Sequence, residues 1–596
     1  MDISLLDLPI VAERPESQGR VAKIVASKIQ IRNCLISGSV NFSSAHFREL
    51  VDFSGSEFGG EARFKGAVFL GRAAFDATQF EGYATFRDAW FAKDATLVGA
   101  KFGAIANFGN VRFSANASFG STRFSDICTN CSDAQFEGDA DFTGAQFAGT
   151  ANFKQAAFGR TASFWQVNFG ADSIFEQAAF MGFASFLKST FGGNADFRHS
   201  EFKEDLTFEL SVFCGNCIFL SSSFQGDVNF SSAKFIGPAN FDNAVLKDAV
   251  FWGAEFHRSS FSGIRVEGNA HFERARFMEA ATFLSAEFGA MANFSAAMFS
   301  RTAIFEQAQF HGSSHFTLAL FAGDASFDGS RFVKDASFNS AQFKERAQFM
   351  GAIFCEDARF LGARFTEACD LTASEFHKNL SIENARIYTM RLFKASFGSE
   401  SRISLQGSDF VRLEVRWASI KDWLVYDGAV YLALIKNFRN LEWFDDADDC
   451  YFQYRRKSQA EKRLYSRVAG APAVNWSKLL DYLAWISCGY GVRPNYTVYL
   501  SILLIILFAG LFWTGDSIVV EHINSTAIGV HLAPADQMDS LSFADHLYFS
   551  AMVFTAKTQV KWYPAGIYRY LATLESILGW LLMALFLVTL GRTMIR

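Results

Sequence analysis

The sequence predicts an all-β solenoid of short stacked coils, followed by an α-helical linker and a two-helix transmembrane module. Three observations predict this. A Phe-rich spacing of five and six residues runs for more than half the chain, helical spacing replaces it after about residue 416, and two long apolar stretches lie near the C-terminus.

The solenoid comes first. The chain of 596 residues holds 70 Phe and only 7 Pro, a Phe content that a repeat must supply. From Phe42, large apolar residues recur at Phe47, Phe53, Phe58, Phe64, Phe69, Phe75 and Phe80, alternating five and six residues apart. The series continues to Phe376 through 62 apolar slots, with Leu97, Cys131, Leu246, Val266 and Leu371 standing in for Phe. A small residue, usually Ala, sits two positions before each slot, as Ala62 does before Phe64. This is neither the 3.6 period of a helix nor the 2 period of a strand. A chain that turns a corner every five or six residues places one large and one small side chain inward per face, and Gly, Asp, Asn and Ser tolerate the corners. Successive coils then pair as parallel strands with the Phe residues in ladders.

The A-x-F core, as in "ANFKQAAFGRTASF" (Ala151–Phe164), resembles the pentapeptide-repeat family over about 335 residues. The resemblance implies a right-handed quadrilateral solenoid with four faces per coil. On that count the 62 slots make about 15 coils and a rod of roughly 75 Å. Two slips are expected as local irregularities: the seven residues from Phe124 to Cys131, and the straight fives from Leu246 through Val266. Residues 1–40 are assigned to an N-terminal segment and cap, and 41–415 to the solenoid. Between Phe42 and Phe376 there are 38 acidic and 27 basic side chains, a balance of −11, against +5 for the rest of the chain. That field is faint, so no nucleic-acid partner or mimicry is expected. Nine scattered Cys point to a reduced compartment.

The linker, 416–470, is expected to be a helical hairpin. Tyr431, Leu434 and Phe438 share one face of its first helix. The second opens with Asp445–Asp449 and runs into Arg455–Lys457, the charge order the helix macrodipole favours. A divalent-cation site at the acidic cluster is the weaker alternative. Residues 471–495 are assigned to an interfacial helix with Trp476, Leu479, Leu480, Leu483 and Ile486 on one side.

The membrane module, 496–596, has spans at Tyr496–Trp513 and Leu571–Leu590, the second carrying only Glu575 as a charge. No Lys or Arg occurs from 494 to 556, while eight lie between Arg455 and Arg493, and Arg592 and Arg596 follow the second span. The positive-inside rule therefore places the solenoid and the C-terminus in the cytosol and the protein in the plasma (inner) membrane as a multi-pass protein. Between the spans, Leu541–Thr555 is apolar but too short to cross, and Ser542 with Asp545 predicts its helix start.

Over "YFSAMVFTAKTQVKWYP" (Tyr548–Pro564) the chain resembles the pore segment of potassium-channel-type proteins, Y-F-S-x-x-x-F-T-T-x-G-Y-G-D-x-x-P, without a gap. Tyr548, Phe549, Ser550, Phe554, Thr555 and Pro564 match. The filter-like positions are Thr555, Ala556, Lys557, Thr558, Gln559, Val560 and Lys561. The two filter glycines are replaced by Thr558 and Val560, the Tyr by Gln559 and the Asp by Lys561. A potassium filter needs rings of inward backbone carbonyls, and its glycines reach angles that β-branched residues reach only at high cost. Potassium selectivity is therefore not expected. The resemblance implies a homotetramer, with Glu575 and Gly579 as pore-lining or gating candidates. Glu575 inside a span is a functional candidate by default, with solvation of an outer vestibule as the alternative.

Other motifs have structural explanations. "CGYG" (Cys488–Gly491) precedes the first span and is expected to be a helix stop. Cys128/Cys131 and Cys214/Cys217 lie several coils apart and are expected to be structural, not a zinc site. No catalytic triad, phosphate loop or dinucleotide motif occurs, so neither an enzyme, a metal nor a cofactor is expected. Two functions stand: an oligomeric channel whose solenoid senses or binds a cytosolic protein partner, or a non-conducting membrane-anchored scaffold, with lipid as partner in both.

Overall fold

Most strands of the N-terminal unit are two residues long. The computed structural model describes residues 10–15, 21–125, 127–462, 465–468, 471–515, 518–520, 541–557 and 562–594. The chain divides into two compact units, Met1–Val425 and Tyr426–Arg596.

The first unit is a parallel β-solenoid of about 18 turns over residues 23–414. Equivalent residues are usually 22 apart, as in Phe69 paired with Phe91 and Ala84 with Ala106, which gives four short strands per turn. Every slot residue named above is buried, including Leu97, Cys131, Leu246, Val266 and Leu371. Between turns the rings stack, with Phe69 and Phe91 centroids 4.5 Å apart and their planes nearly parallel. Within a turn they meet edge-on, as Phe64 does with Phe75 at 5.6 Å. Offset stacking and edge-to-face contact are the two geometries that aromatic quadrupoles favour.

Two corners per turn carry a residue in the left-handed region, for example Ser44 and Gly55, then Gly66 and Ala77. At the first of these, the Ala45 N–H closes the turn on the Phe42 carbonyl at 3.1 Å. Positive φ at the third residue alone is a type II turn. Gly, Asn, Asp and Ser hold many of these positions, yet Gln155, Lys188 and Leu210 hold others. The ladder imposes the conformation and its cost is spread over many turns. At one small-residue position Ser or Thr is buried, and its hydroxyl donates to a Phe carbonyl 25 residues earlier. Ser200 to Phe175 (2.7 Å) and Ser211 to Phe186 (2.6 Å) are examples. Each such bond satisfies a buried hydroxyl that would otherwise be costly.

Both slips occur as local length changes. The Phe113–Phe136 step is 23 residues, and the steps from Phe241 to Phe261 and Leu246 to Val266 are 20. The coil count of 15 is corrected to about 18, because aliphatic residues extend the ladder at both ends. Val25, Ile29, Ile36 and Val40 form the first turn inside the segment assigned as a cap, and Leu380, Ile382, Ile387, Ile403 and Leu405 continue it past Phe376. Ile10–Pro15 pairs antiparallel with Val21–Val25 at the N-terminal edge. At the other edge a short helix, α1 (Trp417–Ile420), buries Trp417 and Ile420. Trp423 donates its indole N–H to the Gly398 carbonyl at 2.8 Å, and Leu424 bridges to Ile403. Residues 417–424 thus close the solenoid and are not part of the linker, since an uncovered strand edge is a pairing hazard.

In the second unit, α2 (Gly428–Asn440) is capped by Asp427, whose carboxylate accepts from the N–H groups of Ala429 and Val430. It buries Tyr431, Leu434 and Phe438, the face expected from spacing. The next helix, α3 (Phe444–Glu461), has Asp445 and Asp446 in its first turn. A short hairpin, Tyr465–Val468 with Ala471–Val474, follows and was not expected. The helix α4 (Trp476–Cys488) leaves Trp476, Leu480 and Leu483 well exposed and ends at left-handed Gly489, so "CGYG" is a helix stop. Two helices, α5 (Pro494–Thr514) and α7 (Tyr568–Met594), are long and apolar enough to cross a membrane. Between them in sequence lies α6 (Phe543–Phe554).

Candidate functional site

The site is the packing of α6 against α5 and α7. Its start is fixed by a capping box: the Ser542 N–H donates to Asp545 at 2.9 Å, and the Asp545 N–H donates back to the Ser542 hydroxyl. His546 Nδ1–H donates to the Ser542 carbonyl at 3.0 Å, and Nε2 has no hydrogen-bond partner among the described residues. Phe549 is buried edge-on against Phe512 of α5 at 5.3 Å, in a cluster with Phe508, Ile518 and Ala572. Beyond the helices, Ile518–Val520 pairs antiparallel with Trp562–Pro564, tying the segment after α5 to the segment before α7.

The buried face of α6 is polar at one point. The Ser550 hydroxyl lies 2.9 Å from the Ile505 carbonyl of α5 and also hydrogen-bonds Glu575 of α7. Glu575 is fully buried, so it is not solvated at a vestibule mouth. Its second carboxyl oxygen has no hydrogen-bond partner among the described residues. One turn further along α7, Gly579 lies against the Phe554 carbonyl, with no room for a Cβ. Gly579, one of the two pore-lining or gating candidates, is a site of close helix approach.

Of the filter-like residues, Thr555 to Lys557 directly follow α6. The Thr555 hydroxyl donates to the Ala551 carbonyl at 2.8 Å, Ala556 is left-handed, and the Lys557 N–H closes on Met552. Thr555 and Lys557 are exposed. Thr558, Gln559, Val560 and Lys561 lie outside the described residues.

Contacts that the sequence reading missed join the linker to both apolar helices. Arg493, just before α5, bonds Asp449 of α3 at 2.5 Å, and Arg592 near the end of α7 lies 3.6 Å from Asp448. The Arg592 guanidinium also sits over the Tyr451 ring at 5.9 Å. Asp448 and Asp449 fall beyond the first turn of α3, where the dipole no longer explains an acid, and that was the available signal. On α4, Asp481 is buried and receives Arg455 and Lys462, each at 2.6 Å. Burial raises the Asp481 carboxyl, but the two cationic donors outweigh it and hold the group below its ordinary range.

The family model described as pentapeptide repeats (9 copies) matches at residues 27–68, 53–101, 97–145, 132–178 and 219–265. No curated protein matches the chain. All the matches fall within the solenoid. The solenoid of the N-terminal unit is built of pentapeptide repeats.

Proposed function

We propose that the C-terminal unit is a pore-type ion-channel module that works as a homotetramer in the plasma membrane. In this reading the solenoid and the C-terminus are cytosolic, and the solenoid is the surface that binds a partner or senses a signal. The observation that carries the reading is α6. At 12 residues it spans about 18 Å, too short for a hydrocarbon core of ~30 Å. Yet it is seated by a capping box, an aromatic contact and a buried hydroxyl against two helices of spanning length.

Polar backbone leaving such a helix inside a bilayer is tolerated only where protein or a water-filled cavity surrounds it. Four copies around an axis supply that surrounding, and Thr555 to Lys561 would then ring the axis. Thr558 and Val560 stand where filter glycines belong, and Lys557 and Lys561 add positive charge that repels cations. The expected conduction is non-selective or leans to anions. The basic residues before α5 and at the end of α7 support cytosolic ends, and the apolar face of α4 suits the membrane interface.

Native mass measurement of the purified full chain, with ion flux into liposomes holding the same protein, tests the proposal. A tetramer with flux supports it. A monomer sinks it, and a tetramer without flux favours the membrane-anchored scaffold.

A further inference from the structure

Glu575 is the only acid in α7, and α5 has no Asp, Glu, Lys, Arg or His at all. The carboxyl is fully buried where α5, α6 and α7 meet. Charged and titratable groups of the facing elements make other hydrogen bonds, and the second ring nitrogen of His546 has no partner among the described residues. Asp545 is held in the capping box, His546 donates to the Ser542 carbonyl, and Arg569 donates to the Pro564 carbonyl at 3.2 Å. Among the described residues no Lys, Arg or His forms an ion pair with Glu575.

The protons at Ser550 can then be counted. Its hydroxyl carries one hydrogen, and two oxygens lie within hydrogen-bond reach: the Ile505 carbonyl at 2.9 Å and Glu575 Oε1. The Ile505 carbonyl can only accept. If Ser550 gave its hydrogen to an ionised Glu575, two lone-pair oxygens would face each other across 2.9 Å at Ile505. Glu575 Oε2, which has no partner, would also hold part of a full charge in an apolar setting, the most costly arrangement available. If Glu575 carries its own hydrogen, both contacts are satisfied, and Oε2 is an unpaired neutral carbonyl oxygen, a far smaller cost.

We infer that Glu575 is held as the neutral acid and donates to Ser550, which donates on to the Ile505 carbonyl. One relay thereby positions α6 between α5 and α7. Glu575 is a positioning residue: it sets the depth of α6 and so the start of the segment at Thr555. The inference deepens the pore-module reading and rests on it for the consequence at the filter, but protonation is read independently of conduction.

Infrared difference spectra of the full chain in lipid nanodiscs test it. Wild type minus Glu575→Gln should show a hydrogen-bonded carboxylic-acid carbonyl band at neutral pH. Ser550→Ala should move that band to higher frequency. Glu575→Gln, whose amide N–H still donates to Ser550, should keep the wild-type melting midpoint, while Glu575→Ala lowers it by ~5 °C. Carboxylate bands in place of the acid band overturn the inference. So does an acid band that Ser550→Ala leaves unmoved, which remains readable if Glu575→Gln fails to fold. A Glu575→Gln variant that melts like Glu575→Ala also overturns the relay. Flux or its absence bears on none of these readings.

Discussion

Gly579 of α7 lies directly against the carbonyl of Phe554, the last residue of α6, with no space for a side chain. Gly579→Ala should therefore push the two helices apart at a cost of about 1–3 kcal/mol, the usual cost of overpacking. Gly510 of α5 has open space around it, so Gly510→Ala serves as the control and should not destabilise. Denaturant unfolding in detergent compares the two. Equal midpoints for both variants would show that the close approach carries no energy.

In the solenoid, the Phe230 ring is stacked between Phe208 and Phe251, each 5.0 Å away. Phe230→Ala should cost about 3–5 kcal/mol, and Phe230→Asp more, since it leaves a charge in a dry ladder. Because each turn touches only its neighbours, the damage should stay local. Hydrogen exchange is expected to show lost protection in the turns around Phe230, with protection retained near Phe338. A wild-type exchange pattern in Phe230→Asp would contradict the ladder.

Much of this architecture was legible because the repeat is redundant. Any stretch of the five-and-six spacing announces the slot register, and the substitutes Leu97, Cys131 and Leu371 keep it. The ends were not legible for the same reason. Val25 takes a Phe position and Ile29 and Ile403 take small-residue positions with no run of Phe to mark them, and the closing helix with Trp417 obeys no repeat. In the C-terminal unit the sequence announced the Ser542–Asp545 cap, because capping is local. It did not announce that Ser550 meets Glu575, 25 residues away, and the Ile505 carbonyl, 45 residues away, which depends on how three helices pack. The same holds for Asp448 with Arg592, a pairing that no spacing rule connects.

The packing of α4 against Arg455 and Lys462 is expected to be acid-sensitive through Asp481. Its carboxyl is held below the ordinary range. The stabilisation it gives is therefore complete above the unfolded value near ~3.9 and is lost as pH falls through the lower folded value. Thermal midpoints measured downward from pH 5 should fall more steeply in wild type than in Asp481→Asn, which should be less stable at neutral pH. Parallel curves for the two proteins would show that the pair with Arg455 and Lys462 does not govern acid stability.

Topology is expected to place residues ~514–570 outside and the solenoid inside. Single cysteines at Ser525 and at exposed Gln406, in a chain without its nine native cysteines, should be labelled by an impermeant reagent from opposite sides. Labelling of both from one side would reverse or abolish the assignment.

The central claim is that α5, α6 and α7 form a pore-type module whose filter has lost its potassium chemistry. Single-channel recording of the full chain in planar bilayers under a potassium chloride gradient tests it most directly. The account predicts currents whose reversal potential lies near zero or toward the chloride value, and a shift toward the potassium value in Lys561→Asp. A wild-type reversal potential at the potassium value, or silent bilayers containing inserted tetramer, would contradict it.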